Sequence, residues 1–93
     1  DVLAVSKIDK IDYLFEIKYW TSVPSTVLLH RVVIRMNEMR TSYESQFKRN
    51  CKCILMIVTV DQIKESIKEQ FDRYALKTPV SADIQIYTEK DLI

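Results

Sequence analysis

Glycine is absent from the 93-residue sequence. That absence excludes the dinucleotide fingerprint and the phosphate-cradling P-loop, since both need glycine where the backbone closely approaches phosphate. It also removes Asn-Gly hairpins and glycine helix caps from the available turns. Cysteine is scarce: Cys51 and Cys53 are the only two. Two apart on one strand, they are poorly placed for a mutual disulfide, and they supply half a zinc site that the single His30 does not complete. Free thiols in a reducing compartment are expected, and with them a cytoplasmic location. No apolar run reaches the roughly 20 residues of a membrane span and no signal-peptide pattern is seen, so no membrane partner is expected. Neither sign of charge dominates: 14 Lys and Arg stand against 13 Asp and Glu. Any nucleic-acid binding must therefore come from a local patch. An initiator methionine is also missing. The strand-like opening Asp1-Val2-Leu3-Ala4-Val5 suggests a piece cut from something longer, its C-terminal part.

What is present is globular. The chain is 47% hydrophobic and 29% charged, which argues against disorder and suits one α/β domain with a single core over residues 1–93. Residues 2–5 predict a short apolar strand, 6–10 a polar connection and 11–20 a long strand. Pro24 suits the first turn of a helix. From there to about residue 50, Leu28, Val32, Met36, Met39, Tyr43 and Phe47 recur at helical steps and predict one buried face. Residues 53–60 are a continuous apolar run, expected as a strand covered on both faces. Thr59 or Asp61 is expected to cap a second helix, with the stripe Ile63, Ile67, Phe71 and Tyr74 and its end before Pro79. Residues 82–87 alternate as a half-exposed edge strand does. The order β-β-α-β-α-β indicates an α/β fold with parallel crossovers in its second half.

The chemistry concentrates in the stretch from Asp12 to Trp20. Strand alternation puts Leu14, Glu16, Lys18 and Trp20 on one face. Tyr13, Phe15, Ile17 and Tyr19 take the other, which reads as an ordinary buried face. Glu16 and Lys18 then lie about 6–7 Å apart between two large apolar residues. Burying such a pair is costly unless something uses it. The bland alternative is a solvent-facing ion pair of little energetic consequence. If the first two strands form a hairpin through residues 7–10, Asp1 faces Glu16, Val5 faces Asp12 and Ser6 faces Ile11. Two adjacent carboxylates repel unless a proton or cation sits between them, and a hard divalent ion such as Mg²⁺ is a natural solution. Asp12 shares the face but lies about 13 Å from Glu16, too far to chelate the same ion. Trp20 reads as a core cap or as a base-stacking ring. Arg31 and Arg35 read as a solvated face beside Glu38 or as phosphate contacts. His30 reads as incidental, and Met36 and Met39 as core.

Asp1, fourteen intervening residues and then Glu16-Ile17-Lys18 on an aromatic-rich strand resemble the active-site signature of the PD-(D/E)xK nuclease superfamily. The helix and apolar strand that follow match that group's core order. The resemblance covers residues 1–60 well and the remainder loosely. It implies a restriction-endonuclease-like mixed β-sheet flanked by helices, and metal-dependent hydrolysis of nucleic-acid phosphodiester bonds, DNA first. It implies that Asp1 and Glu16 bind Mg²⁺ or Mn²⁺, that the backbone carbonyl of Ile17 completes the protein ligands, and that Lys18 orients or activates the attacking water. The family's N-terminal helix and first strand are not seen, nor is the glutamine-plus-tyrosine pattern of some subfamilies. A homodimer or a larger multidomain parent accompanies this expectation. The competing expectation is a non-catalytic domain of the same fold that serves as a scaffold or interaction module.

Overall fold

The structure is a computed structural model that describes the backbone of residues 2–8 and 11–92 and the side chains of 11–91. Strands β1 (Val2–Ile8) and β2 (Ile11–Tyr19) are followed by helix α1 (Thr26–Phe47), strand β3 (Asn50–Thr59), helix α2 (Asp61–Lys77) and strand β4 (Asp83–Thr88). A short 3₁₀ turn, Glu89–Leu92, closes the described chain. The strands form one sheet in the order β1-β2-β3-β4. β1 runs antiparallel to β2, whereas β2, β3 and β4 are mutually parallel. The α/β order expected from the sequence is therefore present as a small domain with a mixed sheet.

Crossovers of one hand that advance in one direction along a sheet place their helices on the same side. The core follows from this. Leu14, Cys53, Leu55 and Ile57 from the strands meet Leu29 and Met36 of α1 and Ile67 and Phe71 of α2 in one cluster. On β2 the buried face is thus the one that carries Asp12, Leu14 and Glu16, while Tyr13, Phe15 and Ile17 remain half-buried. This reverses the expectation that the aromatic face is the buried one. The same parity on β3 leaves Ile54 and Met56 half-buried on the second face, where Val58 near the strand end is buried, so that strand is fully covered on one face and partly on the other. Both faces of these strands are apolar in sequence, and the choice between them is made by which side the helices cover.

Local chemistry sets the element ends. Ser25 caps α1, its Oγ accepting a hydrogen bond from the Leu28 amide at 3.1 Å. Pro24 lies before the cap, not in the first turn, and its carbonyl accepts from Gln70 Nε2 at 3.0 Å. The buried arc of α1 is Leu29, Val32, Val33 and Met36. Leu28 and Phe47, expected on that arc, are exposed. The helix ends at Phe47, short of residue 50, because Lys48 turns into the left-handed region at φ 56° and its amide closes onto the Glu44 carbonyl. Helix α2 starts after Val60, which provides no side-chain cap. Thr59 instead donates its hydroxyl to the Trp20 carbonyl at 2.6 Å, and Asp61 is the first helical residue. The end of α2 at Lys77, ahead of Pro79, matches the expectation.

Strand β1 is longer than expected. It runs through residues read as a polar connection and pairs as far as Ile8 with Ile11. The hairpin is tighter in consequence, and its register moves by two residues from the expected one. Leu3, not Asp1, stands opposite Glu16, and Lys7, not Val5, stands opposite Asp12. Among the described residues no helix is long and apolar enough to cross a membrane.

Candidate functional site

Two carboxylates, Asp12 and Glu16, lie buried on the helix-covered face of β2, and their surroundings differ. Asp12 is fully satisfied. Arg49 Nε reaches its two oxygens at 3.1 and 3.0 Å, Arg49 Nη2 lies 3.0 Å from Oδ1, and the Tyr43 hydroxyl donates to Oδ2 at 2.5 Å. That hydrogen bond, helped by desolvation, holds the Tyr43 phenol above its ordinary range. Nearby, Glu44 Oε2 accepts from the Cys51 amide at 2.9 Å. Together these contacts fasten the C-terminal turns of α1 to the start of β3. A buried charge with this many donors is a structural device.

Glu16 is 1% exposed, which overturns the solvent-facing alternative for the Glu16–Lys18 pair. Its Oε1 lies 3.5 Å from Lys18 Nζ and 3.4 Å from Arg35 Nη1. Yet neither carboxylate oxygen accepts a hydrogen bond among the described residues. Its ladder neighbour on β3 is Leu55, and that of Lys18 is Ile57, both with no exposed surface. A carboxylate buried beside aliphatic side chains, with ion pairs and no hydrogen bond among the described residues, is an expensive arrangement that calls for an explanation. Lys18 is largely covered, whereas the Arg35 side chain is more than half exposed. Glu16 projects from a strand paired with β1 and β3, Lys18 from its end, where the described partner is Ile57 of β3, and Arg35 reaches toward them from the third turn of α1.

The remaining residues singled out in the sequence fall as follows. Asp1 lies outside the described residues, and the register gives its expected place opposite Glu16 to Leu3. Ile17 sits on the opposite, half-buried face, and only its backbone belongs to the site. Trp20 stacks on Phe71 with ring centroids 6.3 Å apart and an 11° interplanar angle, as a core cap. His30 Nδ1 lies 2.7 Å from the Tyr74 hydroxyl and links the two helices. Cys51 and Cys53 are free and buried. Burial, and then the neighbouring Cys51, push the Cys53 thiol up to about 11. It is therefore a thiol at neutral pH and a poor nucleophile. Arg35, read in the sequence as part of a solvated face beside Glu38 or as a phosphate contact, pairs with Glu16. Tyr43 and Arg49, which satisfy Asp12, carried no signal at all, because both come from distant positions.

Among the described residues no three His, Cys, Asp or Glu side chains converge as a metal cluster. The donor set visible at Glu16 is one carboxylate with unsatisfied oxygens and the strand backbone at Ile17. Mg²⁺ is commonly held by one or two carboxylates, waters and substrate phosphates, and toward such a site the described residues offer one carboxylate, itself buried and paired with Lys18 and Arg35. Comparison with protein-family models, with curated proteins and with solved structures gives no match for the chain.

Proposed function

We propose that the chain is a metal-dependent nuclease-like domain whose Glu16 and Lys18 hydrolyse phosphodiester bonds of nucleic acid, DNA first. One observation carries the reading: Glu16 is buried, flanked by two cations, and has two oxygens without a hydrogen bond among the described residues. The mixed sheet supports it, since a hairpin leads into the Glu16 strand and a helical crossover leads out of it. That is the order the PD-(D/E)xK resemblance implies.

Glu16 would hold a divalent ion, with the Ile17 carbonyl and, in the same reading, Asp1 as further ligands. Bound there, the ion supplies a lowered pKa to its water and positive charge to the phosphate. Lys18 keeps its ammonium at the edge of the site, where it stabilises negative charge that builds on the non-bridging oxygens. Its partial burial strengthens that effect, because water screens the charge less. Arg35, its side chain more than half exposed, would offer paired N–H donors to an incoming phosphate.

A scaffold or interaction module of the same fold is the second reading. The register that sets Leu3 opposite Glu16 favours it. One experiment separates the two: cleavage of labelled DNA and RNA in Mg²⁺ or Mn²⁺ by the protein and by its Lys18→Ala variant. The nuclease reading expects cleavage that EDTA abolishes, reduced about 10²- to 10³-fold in the folded variant. A folded protein that cleaves neither substrate leaves Glu16 and Lys18 as a structural pair and favours the scaffold.

A further inference from the structure

Beside the Glu16 pair, a groove of about 560 Å³ runs along α1. Among the described residues Leu14, Met39, Tyr43 and Phe47 give it an apolar floor, with Arg35 and Glu38 on its rim. Phe47 is 52% exposed although it is a large aromatic ring, and its centroid lies 4.6 Å from that of Tyr43 at an interplanar angle of 41°. From Arg35 to Phe47 the helix advances about 18 Å, at 1.5 Å per residue. Arg35 belongs both to this groove and to the ion pair on Glu16. A ligand with a phosphate at the pair therefore extends naturally along the groove toward the exposed ring.

We propose that this groove takes the unpaired bases of a single-stranded nucleic acid, with Phe47 as the stacking platform and Arg35 joining the base track to the phosphate site. The proposal rests on the phosphodiester reading of Glu16 and Lys18. The apolar lining argues for single strands over duplex. A duplex turns its phosphates outward and keeps its base faces stacked, so proteins grip it by neutralising phosphates. This chain has a net charge of +1, and Glu38 stands beside Arg35 on the groove's rim. Such a surface provides little of that grip. An apolar floor with an exposed ring rewards base faces, which only unpaired nucleotides offer. Aromatic stacking contributes about 1–3 kcal/mol per base, or about 5- to 140-fold in affinity at 1.4 kcal/mol per decade.

The test is equilibrium binding of a labelled oligo-dT and of a hairpin duplex of equal length, in EDTA so that nothing is cut. The proteins compared are the wild type, Phe47→Ala, Phe47→Trp and Lys18→Ala. Because Phe47 is exposed at a helix end, its replacement leaves the core intact, and circular dichroism checks this. The expected result is preference for the single strand, a 5- to 140-fold loss in Phe47→Ala, and restored binding in Phe47→Trp with quenched indole fluorescence. Unchanged single-strand binding by Phe47→Ala overturns the proposal, as does preference of the wild type for duplex or binding of neither. A dimer seen by light scattering that Phe47→Ala dissolves also overturns it, by assigning the groove to a second copy. Loss of hydrolysis alone is distinguishable: binding that depends on Phe47 without cleavage in Mg²⁺ sinks the nuclease reading and keeps the groove. Cleavage that depends on Lys18 with Phe47 indifferent does the reverse.

Discussion

Glu16 and Asp12 show how two carboxylates on one strand face can have opposite meanings. Asp12 has charged and neutral donors from α1 and from Arg49 just before β3, while among the described residues Glu16 has ion pairs and no hydrogen bond. Replacing a buried ion pair by apolar groups of similar volume is often neutral or stabilising by about 1–4 kcal/mol. The double variant Glu16→Met/Lys18→Met should therefore match or exceed the wild type in urea midpoint, with any cleavage lost. A loss of more than about 2 kcal/mol would instead make the pair a structural one. Cys53 gives a second expectation. Burial raises its thiol from the usual 9.0 to about 11. A group whose folded pKa is raised contributes stability below its unfolded pKa, and that contribution is lost as pH climbs toward the folded value. Urea midpoints of the wild type should thus fall between about pH 9 and 11 more steeply than those of Cys53→Ala. Equal slopes would mean that the thiol is not desolvated. At this scale the sequence made Glu16 and Lys18 legible, since alternation alone puts them on one face. The partners of Asp12 were not legible, because Tyr43 and Arg49 lie 31 and 37 residues away.

At the scale of the element, a chain without glycine must end its helices by other means. Helix α1 does so with Lys48 in the left-handed region, a conformation that costs a side-chain-bearing residue about 1–2 kcal/mol. Lys48→Gly should relieve that strain, offset in part by the greater conformational entropy that glycine loses on folding, for a net gain of about 0.5–1 kcal/mol. Thermal unfolding of the two proteins measures it, and a destabilised variant would mean that the Lys48 side chain holds the cap. The element order was readable because proline, apolar runs and helical spacing each mark a boundary or a type. The ends were less so. Strand β1 continues through Ser6 and Lys7, since a polar residue in an edge strand need not break pairing. That extension moved the hairpin register by two residues and set Leu3 opposite Glu16. The buried arc of α1 also escaped the spacing argument. Leu28 and Leu29, and Val32 and Val33, are apolar neighbours, and only packing against the sheet selects Leu29 and Val33 from them.

For the whole molecule, the asymmetry of the sheet is what matters. Both helices lie on one side, and the principal extents of 41 × 34 × 19 Å are those of a thin two-layer body. The helix-covered face carries Leu14, Leu55 and Ile57, while the other carries half-buried Phe15, Ile17, Ile54 and Met56. The two faces look alike in sequence, so their roles must be separated by measurement. Threonine retains strand propensity while losing apolar volume, and so reports burial more than backbone preference. Leu55→Thr leaves a cavity and a hydroxyl in a fully packed site, and should cost about 3 kcal/mol or more. Ile54→Thr and Met56→Thr, on the half-buried face, should each cost no more than about 1 kcal/mol by urea unfolding. They should also reduce binding of a hydrophobic dye to the folded protein. If Ile54→Thr costs as much as Leu55→Thr, the second face is packed in solution and the molecule is not the two-layer body described. If the costs separate, stability resides on the face that holds Glu16. The Glu16 carboxylate, without a hydrogen bond among the described residues, then sits in the layer that holds the fold together, and its replacement by an apolar residue becomes the sharpest comparison of stability with activity.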